Sequence, residues 1–202
     1  ETTVVIEGGA PRANSYFGVE IRAGAHDNLI GGAGPAARNL IGSNDHSGVF
    51  IQGANTTHNT VAGSWIGADA SGQAPLGNQV AGVMISGGAH DNQIGGAGQG
   101  NLIAANDVGI YLDGAVGTLI AGNTIGLAAD GRAPLGNGSG GIFAVNGSRA
   151  NQIGGADAGL RNVIGSNGAA NSAFGQGIYL SDPGTSDNLV LGNYIGTDTS
   201  GI

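Results

Sequence analysis

Carboxylates and histidines are the groups in this chain able to shuttle protons or hold a cation. Glu20, Asp113 and Asp182 stand in or beside short apolar segments of similar pattern, where a general acid and base could be carried. His26–Asp27 and His90–Asp91 are repeated His-Asp steps, and Asp45–His46 and Asp107 precede two further apolar segments. Asp69, Asp130 and Asp198 lie in glycine-containing polar stretches suited to turns. Two carboxylates that cleave a glycosidic bond must sit about 5 Å apart for retention, or about 6.5–9.5 Å apart for inversion. A bound metal needs its ligands about 2 Å from one centre. Whether any set qualifies depends on the elements that position it.

Those elements repeat. The frame Gly-[Val/Ile]-x-apolar occurs at 18, 48, 82, 109, 141 and 177, with its first apolar residue at Val19, Val49, Val83, Ile110, Ile142 and Ile178. Successive spacings are 30, 34, 27, 32 and 36 residues. A second short segment opens at Asn28, Asn59, Asn92, Thr118, Asn151 and Asn188, and a third at Asn39, Ser64, Asn101, Asn123, Asn162 and Asn193. Each piece is a few residues long, rich in Val and Ile and bounded by Gly and Asn, which reads as a strand. Three such strands cannot bury a core alone; stacking each unit on the next solves this. The chain is therefore expected to be all-β, a right-handed parallel β-helix of about six coils, forming one domain over 1–202. Second-to-third offsets alternate 11, 5, 9, 5, 11 and 5, so the true period is two coils, with repeats starting near 18, 82 and 141. Long loops are expected at 67–78 and 126–137. Residues TVVIEGG at the start read as the tail of an earlier strand, and the whole as a segment of a longer β-helical protein.

With coils ~4.8 Å apart, the chemistry can be tested. Glu20 and Asp113 fall three coils apart, about 14 Å, and Asp182 lies two coils beyond Asp113. The His-Asp steps are two coils apart, near 10 Å. Neither a catalytic residue nor a metal site nor a cofactor is assigned. The calcium loop DxDxDG is missing, the glycine-rich strings lack the Lys-Ser/Thr ending of a phosphate cradle, and no Ser-His-Asp set falls in one column.

The stacked asparagines predict two amide ladders. One runs through Asn28, Asn59, Asn92, Asn151 and Asn188, with Thr118 in the column. The other runs through Asn39, Asn101, Asn123, Asn162 and Asn193, with Ser64 in the column. Each amide donates to one neighbour and accepts from the other. Strand alternation sends Glu20, Phe50, Met84, Tyr111, Phe143 and Tyr179 outward. The last five make an apolar stripe that could take a sugar ring or a partner protein, or could be covered by neighbouring structure.

Composition narrows the partners. The chain has 43 glycines, no cysteine, no lysine, six arginines and a net charge of −8. Scattered arginines on an acidic chain cannot release counterions from a phosphate backbone, so nucleic acid is not expected. No apolar run approaches the ~18 residues of a membrane span, so membrane insertion is not expected.

The string G-[VI]-x-[IL]…N-x-I-G-G…N-x-I-x-x-N…G-N-x-I-G resembles the parallel β-helix repeats of secreted bacterial proteins in the pectin-lyase-like superfamily. It covers about 18–196. The resemblance implies an extracellular or cell-surface setting, and a group that includes polysaccharide lyases, hydrolases, epimerases, adhesins and passive stalks. With no acid pair in reach, the expectation leans away from an enzyme. It favours a structural or adhesive β-helix that binds a polysaccharide or a partner protein through the stripe. A polysaccharide-active domain and a self-assembling filament subunit with homo-oligomeric neighbours are the alternatives.

Overall fold

The computed structural model describes residues 11–168 and 175–202; the TVVIEGG stretch lies outside them. Three parallel sheets of six strands run the length of the molecule, one strand per coil in each. The first sheet stacks Val19–Arg22, Val49–Gln52, Ala81–Ser86, Val108–Asp113, Gly140–Val145 and Gln176–Leu180. The second stacks Leu29–Gly31, Thr60–Ala62, Gln93–Gly95, Leu119–Ala121, Gln152–Gly154 and Leu189–Leu191, and the third is built from two-residue strands such as Leu40–Ile41 and Trp65–Ile66. Register follows the repeat: Val19 pairs with Val49, Val49 with Val83, Val83 with Ile110, Ile110 with Ile142 and Ile142 with Ile178. The parallel β-helix of about six coils is thus the observed fold.

Alternation along each strand sends one set of side chains into a narrow interior. Val49, Ile51, Val83, Ile85, Ile110 and Leu112 are fully buried from the first sheet, with Ile94, Ile120 and Ile153 from the second and Ile66, Ile103 and Ile125 from the third. β-branched side chains suit such columns, since their stiff χ1 fits the pleat at little entropic cost.

The corners are held by amides. The second-segment ladder has Asn28 Nδ2 donating to Asn59 Oδ1 at 2.8 Å, Asn59 to Asn92 at 3.1 Å and Asn151 to Asn188 at 2.9 Å. It is interrupted at Thr118, whose Oγ1 is buried without a partner. In the third-segment ladder Asn101, Asn123, Asn162 and Asn193 bond in sequence at 2.9–3.0 Å. Asn39 shares that column through its backbone carbonyl, which accepts from Trp65 N–H. Its amide has no ladder bond, because the next residue up is Ser64, whose hydroxyl donates to the Ala62 carbonyl.

A third ladder, not foreseen from the sequence, is the most regular. Asn14, Asn44, Asn78, Asn106, Asn137 and Asn167 each pass an Nδ2–H to the Oδ1 of the next, at 2.7–3.1 Å. It fills the corner before the first sheet and explains the glycines that open five of the six frames, Gly18, Gly48, Gly82, Gly109 and Gly141, where a Cβ would lie within 3.1 Å of a ladder amide nitrogen. A Cβ on Gly82 would lie 2.7 Å from the Gly109 carbonyl oxygen and 2.9 Å from Asn106 Nδ2. The amide occupies the space a side chain would need.

Even coils carry the long loops, pinched by antiparallel bridges between Ala68 and Pro75 and between Leu127 and Pro134. These loops reach across the intervening coil to each other. Ala129 N–H donates to the Gly72 carbonyl at 2.9 Å, and Thr199 N–H to the Gly131 carbonyl at 3.1 Å.

Candidate functional site

The outer face of the first sheet brings the predicted stripe into one register-matched column: Glu20, Phe50, Met84, Tyr111, Phe143 and Tyr179 are consecutive cross-strand partners. The column is not uniformly open. Phe50 and Phe143 are buried, at 7 % and 8 % exposure, while Met84, Tyr111 and Tyr179 are half-buried. Phe17, which sequence reasoning passed over, stacks on Phe50 with ring centroids 4.4 Å apart. His46 packs edge-on against Phe17 at 4.7 Å. Farther along, Phe143 lies 6.2 Å from Tyr111 and 5.2 Å from Tyr179, with all three rings tilted. Val80, Ala81 and Val108 pack beside them and form a second, smaller apolar cluster outside the main core. Two aromatic groups, joined by Met84, make up the ridge; its accessible edge is Met84, Tyr111 and Tyr179.

Carboxylates flank one end of this ridge. Asn146 donates its Nδ2–H to Asp113 at 2.8 Å and its backbone N–H to Asp182 at 3.3 Å, so one residue from each of three coils is tied together. Burial pushes the Tyr111 phenol above its ordinary pKa, and the charges of Asp113 and Asp182 push it the same way. Glu20 stands at the far end beside Arg22, 3.4 Å away. The expected separation of Glu20 from Asp113 by three coils is what the register gives.

Three further acids are occupied in their own turns. Asp69 accepts from the Ser71 hydroxyl and from the backbone N–H of Gln73 and Ala74, Asp130 from the N–H of Arg132 and Ala133, and Asp198 from Ser200. Side-chain hydrogen bonds at Asp69 and Asp198, and backbone bonds at Asp130, hold these carboxyls below the usual carboxylate range. Asp107 accepts from the Ser139 hydroxyl at 2.6 Å. His26 and His90 each contact the aspartate that follows, at 2.7 and 2.8 Å. Among the described residues no three His, Asp or Glu side chains converge as metal ligands would.

The third sheet carries a smaller outward feature. Arg38 lies over Trp65 at 3.9 Å and Arg161 over Tyr194 at 4.1 Å, each cation coming from the longer turn of an odd coil. These pairs cover side chains that would otherwise be more exposed, which suits a packing role. No protein family, characterised protein or solved structure was found to match this chain.

Proposed function

We propose that the chain is a non-catalytic structural or adhesive β-helix of the extracellular type, akin to the repeats of the pectin-lyase-like superfamily. In this reading it is a stiff rod whose contact surface is the accessible edge of the aromatic ridge. One observation carries it: the ridge runs from coil to coil along the outer face of the first sheet, whereas the carboxylates beside it, Glu20, Asp113 and Asp182, stand two or more coils apart. Flat half-buried rings on a rigid sheet suit the apolar face of a sugar, and Asp113 and Asn146 alongside offer hydrogen bonds to hydroxyls. A polysaccharide is thus the favoured partner.

The test uses Tyr111→Ala combined with Tyr179→Ala, since Phe50 and Phe143 are buried and their loss would loosen the sheet. Migration through gels containing neutral or uronic-acid polysaccharides should be retarded for the parent and not for the double variant, with unchanged circular dichroism. Equal migration of the two proteins in every gel would overturn the reading. Depolymerisation of the matrix by the parent would instead assign an enzyme.

A further inference from the structure

The outer face of the first sheet changes character along its length. Residues two apart on a strand share a face, so each coil sets a second side chain beside its ridge position. The first coil pairs Glu20 with Arg22, the second Phe50 with Gln52 and the third Met84 with Ser86. In the fourth coil the half-buried Tyr111 ring has a carboxylate, Asp113, about 6.6 Å along the strand. In the sixth, the strand ends at Leu180 and the turn at Asp182 sets a second carboxylate just past Tyr179. The fifth coil differs: Phe143 is buried, its partner on the face is Val145, and Asn146 ties Asp113 to Asp182. A ring with a carboxylate beside it thus recurs two coils apart, at a spacing of about 9.6 Å.

These carboxylates are not offset by cations on the same face. Among the described residues, Arg22 is the one arginine carried by the six strands of this sheet. It pairs with Glu20 and lies three coils below Asp113, about 14 Å away. The Tyr111 phenol is pushed up by burial first and then by the charges of Asp113 and Asp182; Arg149, exposed in the turn beyond Val145, exerts no opposing pull on it.

Building on the reading of the ridge as a glycan-contact surface, we propose that Tyr111 with Asp113 and Tyr179 with Asp182 are two like subsites that take uncharged sugar units and exclude uronic acid polymers. The ring covers the apolar face of a pyranose, and the carboxylate accepts charge-assisted hydrogen bonds from its hydroxyls. A uronate seated on either ring brings its own carboxylate to within a Debye length, ~8 Å at physiological salt, of the aspartate beside it. Each such like-charge pair weakens binding about three- to tenfold. One neutral polymer bridging both subsites gains from the effective concentration of the second.

Biolayer interferometry of the full chain at physiological ionic strength tests this, with neutral gluco-, manno- and galacto-polysaccharides and polygalacturonate immobilised side by side. The parent should bind at least one neutral polymer, and polygalacturonate about tenfold more weakly or less. Asp113→Asn combined with Asp182→Asn keeps the side-chain shape and removes both charges. It should weaken neutral binding and strengthen polygalacturonate binding, so that the ratio of the two affinities falls about tenfold or more, with unchanged circular dichroism. Asp27→Asn combined with Asp157→Asn has the same net charge with both changes off this face, in exposed turns, and should keep the parent's ratio. Parent protein that binds polygalacturonate as tightly as the neutral polymers would overturn the exclusion while leaving the glycan-contact reading intact. An equal fall in the ratio for the two double variants would also overturn it, by tracing the preference to net charge. Binding to none of the polymers would overturn that reading itself, and the subsites with it.

Discussion

Two of the three ladders have the same length and the same chemistry, yet differ in completeness. The ladder before the first sheet passes through six asparagines without a gap, whereas the one before the second sheet breaks at Thr118. Threonine keeps the backbone donor, since its N–H reaches Asn151 Oδ1 at 2.9 Å. It lacks the amide that would accept from Asn92 and donate to Asn151. The solenoid tolerates the gap because the coils on both sides are pinned by two other corners and a filled core. Ladders therefore add to the stack one step at a time, and each step can be perturbed separately.

The largest effect is expected from Asn106→Ala, in the middle of the complete ladder. Its amide accepts from both nitrogens of Asn78 and donates to Asn137 and to the Ile66 and Ala104 carbonyls. Leaving these buried groups unpaired should cost about 3–5 kcal/mol in a denaturant titration. Asn92→Ala, next to the gap, removes bonds to Asn59, Thr56 and His90 but no step to Thr118. It should cost about 1 kcal/mol less than Asn106→Ala. Equal costs would mean the ladder bonds are not the stabilising element. Thr118→Asn closes the gap and should raise stability by about 1–2 kcal/mol.

Acid gives the smallest and most selective effect. Amides do not titrate, so the gain from Thr118→Asn should be the same at pH 7 and pH 3. The absolute stability of both proteins should fall on acidification. Asp69, Asp130 and Asp198 have lowered folded-state pKa values, so their contribution is present above the unfolded value of 3.8 and is lost as pH drops through the folded one. Thermal melts of parent and variant across this range measure both quantities.

The columns Val19 to Ile178 and most of two ladders were legible because like residues recur at like places in the sequence. The third ladder was not, for a concrete reason. Asn44 follows Ile41 by three residues, whereas Asn78 follows Ile66 by twelve, because a loop intervenes. Only the structure shows that the loop closes on itself and returns the asparagine to the same corner. The aromatic ridge was legible as a column, but its accessibility was not. Phe50 is covered by Phe17, at the position just before the frame glycine where later coils carry Ala81, Val108 or Gly140, and Phe143 packs against Val108 and its neighbours. Alternation tells which side of a strand a residue takes; it is silent on what lies over that side.

The contacts between alternate loops, from Gly72 to Ala129 and from Gly131 to Thr199, amount to a rib fastened along one flank of the coil stack. In a beam, material far from the central axis contributes most to rigidity, so this rib makes the molecule stiffer in one bending direction than in the other. Shortening the loops would leave the coils wound but equalise those two stiffnesses.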